Sequence, residues 1–511
     1  MKIQQELQYT EVGIVKAIRG CIILVKGFRN CINGQIIKFG YGTVGMIVGF
    51  TEQEAQVLIL RESERVKTGD QAIASLEPFE MPVGDKFIGR IVSSLAEPLD
   101  GLGPIVHDKK LSIFPESPPI LMRQPLNLTL ETGIKVLDAM IPIGRGQREL
   151  ILGDKGTGKT TFVTDTILNQ KDSGVICIYC AIGKAHSSLA KVVQLFKDQD
   201  CFKYSLIVSA GASASPGQQY LAPYVACALG EYFLHQGKHV FIGFDDFTKH
   251  AWAYREISLL LGRPPGRDSY PGDIFYLHSK MIERACYMDK ERGGGSMTFF
   301  PIVEILEGDL TAFVPTNLIS MTDGQIYLNS TLFAEGQKPA LDLGLSVSRV
   351  GSKVQWPAVK VLSGQLRLEY LQYRELLRIS KLKTSGQSEE MVEKLKRGAI
   401  LTEVLKQDKN NPVPCEAQVM IFYAFNKKYL NDLTVPQVQA FQKEILEYAR
   451  KKQPDLVKNL RERKKLDEEI EKGVADILKM YLEELKASDT KAKKSLSEED
   501  DYEQVASANR R

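Results

Sequence analysis

One segment of this 511-residue sequence has a spacing of glycine, lysine and threonine that suits phosphate binding. The segment, Gly153-Asp-Lys-Gly-Thr-Gly-Lys-Thr160, fits the pattern GxxxxGK[ST] without gaps. Glycines at 153, 156 and 158 let backbone N–H groups turn toward phosphate oxygens where a side chain would collide. Lys159 would reach the β- and γ-phosphates, and the Thr160 hydroxyl would ligate Mg²⁺. The segment therefore predicts a site for a nucleoside triphosphate with Mg²⁺.

The residues on either side of this segment predict the strand and helix that such a loop requires. Glu149-Leu-Ile-Leu152 is a short apolar run suited to a strand, and Val163 and Ile167 follow on one helical face. A helix that begins at the loop would add the partial positive charge of its N-terminus to the phosphate site.

A second apolar run downstream ends in two acidic residues. His239-Val-Phe-Ile-Gly-Phe244 is typical of a buried strand, and Asp245 and Asp246 follow it directly. Beside a phosphate loop, a carboxylate at a strand end can hold Mg²⁺ through water. We therefore expect Asp245 to complete the metal site with Thr160.

The residues that would activate water are not of the type that hydrolysis requires. A carboxylate or amide must orient and polarise the attacking water. Where we expect that carboxylate, the chain has Lys184, whose ammonium cannot accept a proton, and His186, which we interpret as a solvated turn residue. These residues predict a site that binds nucleotide and turns it over poorly or not at all, as suits one half of an alternating ring.

The apolar pattern divides the chain into four zones. Short β-type runs predict a small antiparallel barrel or sandwich in 1–76. Apolar runs that alternate with helical stretches predict an α/β nucleotide-binding domain in 77–363. Charged, leucine-bearing stretches predict an all-α domain in 364–485, and the composition of 486–511 predicts a disordered tail.

Composition and charge exclude several classes of protein. The chain has 66 basic and 63 acidic side chains, a formal net charge of +3 and 43% hydrophobic residues. These values exclude wholesale disorder and give no reason to expect nucleic acid as a partner. The apolar runs are far shorter than the roughly 20 residues of a membrane-spanning helix. The first residues lack the apolar core of a signal peptide, so we expect a soluble chain that is not exported.

Several longer motifs resemble the α-subunit family of F-type ATP synthases. They include Ile141-Pro-Ile-Gly-Arg-Gly-Gln-Arg-Glu-Leu150, Gln219-Tyr-Leu-Ala-Pro-Tyr224, Arg263-Pro-Pro-Gly-Arg-Asp-Ser-Tyr-Pro-Gly-Asp-Ile-Phe-Tyr-Leu-His278, Pro315-Thr-Asn-Leu-Ile-Ser-Met-Thr-Asp-Gly-Gln-Ile326 and Gly344-Leu-Ser-Val-Ser-Arg-Val-Gly351. The resemblance covers about residues 10–480. It also selects between subunits, because the catalytic β subunits of the family carry glutamate where this chain has Lys184.

The resemblance implies a fold and a set of partners. The fold is an N-terminal six-stranded β-barrel, a P-loop α/β domain and a C-terminal all-α domain. The partners are catalytic β subunits in an alternating α₃β₃ ring, a central-stalk γ subunit and peripheral-stalk subunits. The assembled enzyme would couple ATP synthesis or hydrolysis to proton or sodium transport. This chain would lie on the cytoplasmic side of the cell membrane and meet the membrane only through the complex.

The resemblance also implies ligands and site residues. The ligands are Mg²⁺ and ATP or ADP, with Thr160 and Asp245 at the metal. The nucleotide site would consist of Gly153, Gly156, Thr157, Gly158, Lys159, Thr160, Thr161 and Gln407, the last at the adenine. Arg349 would extend into the neighbouring catalytic site as an arginine finger, and Ser346 would help set its loop. Such a fork of charged donors stabilises the charge that spreads over the γ-phosphoryl oxygens in the transition state.

The sequence departs from the family pattern at several positions. Gly156 stands where glutamine is common, Lys155 where arginine is common, and Lys409 where a second glutamine lies near the adenine. Only about ten residues precede Val12. We therefore expect the helix that meets the δ subunit in the family to be nearly absent. These departures predict a divergent member, of a variant, sodium-translocating branch that lacks δ.

Two other classes of protein share parts of this pattern. A self-sufficient homohexameric ATPase, such as an export or flagellar motor, would share the loop and the finger but predicts a carboxylate at or beside position 184. An RNA-binding hexameric helicase predicts basic patches interleaved with aromatic residues in the barrel. Residues 10–76 carry few aromatic residues and mixed charges, so the helicase ranks last.

Overall fold

The computed structural model describes residues 11–61, 66–75, 79–382 and 389–485. The chain forms two compact units. The first contains 1–134, 141–354 and 408–412, and the second contains 135–140, 355–407 and 413–511. The predicted tail, 486–511, and the residues before Glu11 lie outside the described residues.

The strands of the described residues are, in chain order, β1 (Glu11–Arg19), β2 (Ile22–Lys26), β3 (Ile36–Phe39), β4 (Val44–Phe50), β5 (Ala55–Arg61), β6 (Gln71–Ala74), β7 (Glu80–Val83), β8 (Ile91–Ser93), β9 (Lys109–Ser112), β10 (Thr129–Leu130), β11 (Ile143–Gly144), β12 (Leu150–Gly153), β13 (Val175–Lys184), β14 (Ser205–Gly211), β15 (His239–Asp245), β16 (Cys286–Tyr287), β17 (Ser296–Glu304), β18 (Gly324–Leu328) and β19 (Val347–Ser348).

The α-helices of the described residues are α1 (Lys135–Met140), α2 (Lys159–Leu168), α3 (His186–Asp198), α4 (Pro216–Leu234), α5 (Phe247–Leu260), α6 (Ile274–Ile282), α7 (Phe313–Met321), α8 (Ser330–Ala334), α9 (Pro357–Ser363), α10 (Leu366–Leu382), α11 (Glu389–Leu405), α12 (Cys415–Asn426), α13 (Val435–Lys452), α14 (Pro454–Arg463) and α15 (468–485).

The first six strands form a closed antiparallel barrel in the order β1-β2-β5-β4-β3-β6. Successive side chains of a strand point to opposite faces, and both faces of strand β2 are covered from Ile22 to Val25, which explains its run of apolar residues. Ile23 and Val25 fill the barrel interior, whereas Ile22 and Leu24 pack against the core of the larger α/β domain. The six-stranded barrel that the resemblance implies is therefore confirmed.

The centre of the first unit is a nine-stranded sheet covered by helices. Its strands follow the order β19-β18-β12-β17-β15-β13-β14-β8, and β16 pairs with β17. All neighbours from β18 to β8 are parallel, while β19 and β16 pair antiparallel with theirs. Helices on both faces bury the central strands, which explains their continuous apolar runs. The predicted α/β domain is confirmed.

One glycine allows the helix after the loop to approach the strand that ends in Asp245. A Cβ at Gly243 on β15 would lie 2.1 Å from Val163 Cγ1 on α2. Only glycine leaves room for this contact. The contact brings the first turn of α2 close to the carboxyl end of β15, where the predicted metal residues lie.

The second unit contains α1 and the helices from α9 onward, so the predicted all-α domain is confirmed. Its centre is α12, whose residues from Cys415 to Phe425 are all buried. The Gln355 amide ties α1 to this unit by donating to the carbonyl oxygens of Asp138 and Ala139 at 2.7 and 2.9 Å. The predicted domain limits, 76, 363 and 485, remain predictions.

Candidate nucleotide site

The loop between β12 and α2 has the backbone that the glycine spacing predicts. Gly156 and Gly158 have φ of +84° and +102°, in the left-handed region that other residues rarely adopt. Gly153 is constrained by packing instead, because a Cβ there would lie 2.7 Å from Thr157 Oγ1 and 2.8 Å from the Leu328 carbonyl oxygen. The strand and helix predicted on either side of the loop are both present.

Lys159 lies at the start of α2 with its ammonium folded against the loop. The side chain is buried, with 7% of the residue exposed, and burial lowers its pKa. Its Nζ donates to the carbonyl oxygens of Gly153 and Asp154 at 2.7 and 2.6 Å. The Thr157 hydroxyl donates to the same Asp154 oxygen at 2.8 Å and closes the turn. The ammonium is thus held at the loop that would receive the phosphates.

Asp245 brings together the oxygen atoms of the predicted metal site. It is 1% exposed, and its Oδ2 accepts hydrogen bonds from Thr160 Oγ1 at 2.7 Å and from the Tyr179 hydroxyl at 2.8 Å. Burial and the nearby Asp245 carboxylate raise the pKa of Tyr179, so its hydroxyl remains a donor. Mg²⁺ prefers oxygen ligands and keeps several waters, so one hydroxyl and one carboxylate fit it beside a phosphate.

Lys184 ends β13 and lies beside the two aspartates at the carboxyl end of β15. Its Nζ lies 2.5 Å from Asp245 Oδ1 and 3.4 Å from Asp246 Oδ2. Burial alone would lower its pKa, but the two carboxylates outweigh burial and raise it above the ordinary value. The Asp246 carboxylate also caps α5 by accepting from Lys249 N at 2.8 Å. An ammonium that stays charged therefore sits between the two aspartates.

A cavity of about 440 Å³ adjoins these groups. It is lined by loop residues and by residues at the carboxyl ends of the neighbouring strands, among them Gly156, Gly158, Lys159, Thr160, Lys184, Asp246, Lys249 and Glu304. A concave space bordered by a phosphate loop, lysine ammonium groups and carboxylates suits a Mg-nucleotide.

Sequence reasoning missed two of the groups at this site. Glu304 ends β17, and its carboxylate acts electrostatically on Lys159. It follows an apolar run, so the rule that located Asp245 could have found it. Tyr179 lies inside the buried strand β13 and carries no pattern that marks it as different from its apolar neighbours.

Thr161, Gln407 and His186 were also considered from the sequence, and the structure places them in three different segments of the chain. Thr161 is in the first turn of α2, where its carbonyl oxygen accepts from Thr164 Oγ1 at 3.1 Å. Gln407 belongs to the second unit, where its side-chain oxygen accepts from Lys135 N at 3.0 Å. Its contact with adenine remains a prediction. His186 begins α3 and is exposed, with a ring nitrogen 3.3 Å from Ser213 Oγ.

Arg349 and Ser346 flank the short edge strand β19. Arg349 is exposed, and its backbone N–H donates to the Asp323 carbonyl oxygen at 2.8 Å. Ser346 is fully buried, and its Oγ accepts from Tyr327 N of β18 at 2.9 Å. Ser346 therefore holds the loop to the sheet. That either residue serves a catalytic site remains a prediction.

Comparison with known proteins identifies the family. The nucleotide-binding domain of the ATP synthase alpha/beta family matches residues 133–348, and the C-terminal domain of the ATP synthase alpha/beta chain matches 355–481. ATP synthase subunit alpha of Clostridium botulinum (strain Eklund 17B / Type B) is 45% identical over 487 residues, which cover 94% of this chain and 96% of the relative. This chain belongs to the ATP synthase α-subunit family.

Other members of the α-subunit family match to a similar degree. The subunit of Caldanaerobacter subterraneus subsp. tengcongensis is 44% identical over 481 residues, and that of Aquifex aeolicus (strain VF5) is 43% identical over 478. Each match covers 94% of this chain and 95% of the relative. The resemblance to the F-type α-subunit family is thereby confirmed, and with it the assignment as a nucleotide-binding subunit. None of the described helices combines the length and the apolar character needed to cross a membrane.

Proposed function

We propose that this chain is a largely non-catalytic, regulatory α subunit in the α₃β₃ ring of an F-type ATP synthase. It binds Mg-ATP or Mg-ADP at its own loop and supplies Arg349 to the catalytic site of a neighbouring β subunit. The ring surrounds a γ subunit and is held by peripheral-stalk subunits on the cytoplasmic side of the membrane. Through the complex, nucleotide turnover is coupled to proton or sodium transport.

The position of Lys184 is the observation that carries this proposal. A water molecule near a γ-phosphate in this cavity would meet an ammonium, which donates hydrogen bonds and cannot accept a proton. The carboxylates of Asp245 and Asp246 are engaged with that ammonium. Lys184 therefore favours retention of bound nucleotide over its hydrolysis.

Each group at the loop has a defined part in nucleotide binding. The backbone N–H groups at Gly156 and Gly158 and the start of α2 suit phosphate oxygens, and Lys159 neutralises their charge. Thr160 and Asp245 would hold Mg²⁺, which bridges phosphate oxygens and neutralises their charge when bound. Arg349 lies on the side of β18 away from β12. Its exposed guanidinium is planar and would donate several hydrogen bonds to a phosphoryl group on another subunit.

Glu304 is the carboxylate in the cavity that an alternative function would use. Within the described residues it lines the cavity at the end of β17 and is not paired with Lys184. If it orients water, this chain would be a self-sufficient ATPase of the homohexameric type. The two functions therefore differ in whether the lone chain hydrolyses ATP through Glu304.

Turnover by the isolated chain separates these functions. We expect the purified chain to bind Mg-ATP in calorimetry and to release no more phosphate than its Lys159→Met variant. Lys184→Glu, which places a carboxylate at the usual position, is expected to add measurable hydrolysis. Glu304→Gln serves as the matched variant at the competing carboxylate. Hydrolysis by the unchanged chain that Glu304→Gln abolishes would contradict the proposal and support the self-sufficient ATPase.

A further inference from the structure

The segment that carries Arg349 needs support from outside its own strand. Strand β19 is two residues long and lies at the edge of the described sheet, where Val347 and Ser348 pair with Gln325 and Gly324 of β18. Arg349 itself is exposed. So short a ladder leaves few hydrogen bonds to fix the direction in which an exposed arginine extends.

Asp323 supplies this support through its backbone and its side chain. Its carbonyl oxygen accepts from Arg349 N at 2.8 Å, which extends the β18–β19 ladder by one residue. Its own backbone N–H donates to the Arg148 carbonyl oxygen at 2.8 Å. Asp323 therefore lies directly between Arg148 and Arg349.

Arg148 fixes the Asp323 side chain through three hydrogen bonds. Its Nε donates to Oδ2 at 3.0 Å, a terminal guanidinium nitrogen donates to Oδ1 at 2.7 Å, and its backbone N–H donates to Oδ2 at 3.0 Å. The hydrogen bonds to the Asp323 carboxylate raise the pKa of Arg148 and outweigh burial, which lowers it. The side chains are 22% and 24% exposed, so the pair is largely shielded from solvent. A bidentate pair of this kind is stronger and more directional than a single hydrogen bond.

A second contact links the residues before β12 directly to the segment that carries Arg349. Gln147 Nε2 donates to Glu149 Oε2 at 2.7 Å and lies 3.2 Å from Ser348 Oγ, next to Arg349. Gly324 makes this approach possible, because a Cβ there would lie 2.2 Å from the Val347 carbonyl oxygen and 2.7 Å from Glu149 Oε2. The residues immediately before β12 thus contact Ser348 directly and reach Arg349 through Asp323.

We propose that Arg148, acting through Asp323, is a positioning residue that fixes Arg349 for the catalytic site of a neighbouring subunit. This inference rests on the proposed function of Arg349. Arg148 does not contact the reacting atoms. Through Asp323 it fixes the position of the Arg349 backbone, from which the arginine side chain extends. A displacement of about 1 Å at a catalytic group can cost about 10²-fold in rate, so loss of this support is expected to matter.

The test compares Arg148→Lys and Arg349→Ala, singly and together, in the assembled α₃β₃γ complex. Lysine keeps the charge of Arg148 but cannot make the bidentate contact. We expect Arg148→Lys to lower kcat by about 10- to 100-fold with little change in KM. In the Arg349→Ala background the same substitution should cause no further loss, because the group it positions is gone. If the Arg148→Lys complex does not assemble, Asp323→Asn is the second variant. We expect the same pattern from it: a lower kcat, and no further loss in the Arg349→Ala background.

The Arg90–Asp100 pair provides a matched control. It has the same bidentate geometry, with distances of 2.7 and 2.9 Å, and Arg90 directly precedes β8 at the opposite edge of the same sheet. Arg90→Lys should leave kcat unchanged.

The possible results separate the inference from the proposed function. An equal loss from Arg148→Lys with and without Arg349 would show a general structural role and overturn the inference. Full activity of Arg148→Lys, in a complex that Arg349→Ala inactivates, would overturn it while leaving the proposed function standing. Full activity of Arg349→Ala would overturn both.

Discussion

The two ends of strand β12 carry different kinds of charged site. At its carboxyl end, the phosphate loop surrounds a buried ammonium, and Lys184 is paired with Asp245 and Asp246 inside the first unit. At its amino end, the pairing involves Arg148 and Asp323, and the neighbouring Arg349 is exposed. One end keeps its charges within the chain, and the other directs a charge outward.

In the proposed function, this difference lets one short strand support two sites. A site that binds a ligand is stabilised by convergent donors and by carboxylates held close to a metal position. A group offered to another protein must stay exposed, so its direction has to be fixed through its backbone. The loop end should therefore govern nucleotide affinity, and the Arg349 end should govern turnover by the assembled ring.

Replacement of Arg349 is the strongest test of this division. We expect Arg349→Ala to lower the turnover of the assembled ring by about 10³- to 10⁵-fold, the range found for arginine fingers. The affinity of the isolated chain for Mg-ATP should not change, because the loop lies at the other end of β12. Steady-state ATPase assays and calorimetry give the two values.

Lys353→Ala is the matched control for this substitution. Lys353 is a nearby exposed basic residue, and its replacement should change neither turnover nor affinity. A weaker affinity of the Arg349→Ala chain, with normal turnover by its ring, would reverse the division between the two ends.

Asp165 predicts a pH dependence of stability at the loop end. This carboxyl lies on α2, accepts from Asn410 N at 2.9 Å, and has its pKa raised by burial to about 7. The unfolded chain releases the same proton at a pKa of about 3.9. Between these pH values Asp165 binds more protons in the folded chain than in the unfolded chain, so its contribution to stability falls as pH rises from about 4 to about 7. The loss is at most about 4 kcal/mol, since one pKa unit corresponds to about 1.4 kcal/mol.

Asp165→Asn keeps an oxygen for Asn410 N and removes the titration, so the pH slope of its stability should be less negative than that of the unchanged chain. Denaturant midpoints measured from about pH 5 to 8 span the upper part of that range and give the slope. In a Trp356→Phe background, Trp252 fluorescence reports the first unit alone, since the chain has two tryptophans. Asp198→Asn, at an exposed helix end, should leave the slope unchanged. A slope in Asp165→Asn equal to that of the unchanged chain would exclude Asp165 as a source of the fall.

The sequence predicted those parts of the molecule that local patterns determine. The loop glycines, the strand before them and the carboxylate after β15 each lie within one short segment, so their spacing indicates their arrangement. The contact between Arg148 and Asp323 joins residues 175 positions apart. It depends on the parallel register of β12 with β18, which no local pattern specifies. Glu304 was missed for a different reason, since its pattern was present and its position beside the loop was not known.

Lys159 gives the prediction with the smallest expected effect. Lys159→Met keeps the length of the side chain and removes the ammonium that would neutralise the phosphates. A hydrogen bond to a charged group contributes about 1.5–3 kcal/mol, so the affinity of the isolated chain for Mg-ATP should fall by about 10- to 100-fold. Lys191→Met, at an exposed lysine on α3, is the control and should bind normally.

Lys159 also donates to the Gly153 and Asp154 carbonyl oxygens, so loss of these hydrogen bonds and unfolding of the loop is a second cause of weak binding. Amide exchange at the loop separates these two causes: unchanged protection with weak binding supports direct phosphate contact, whereas lost protection would mean that the lysine mainly stabilises the loop.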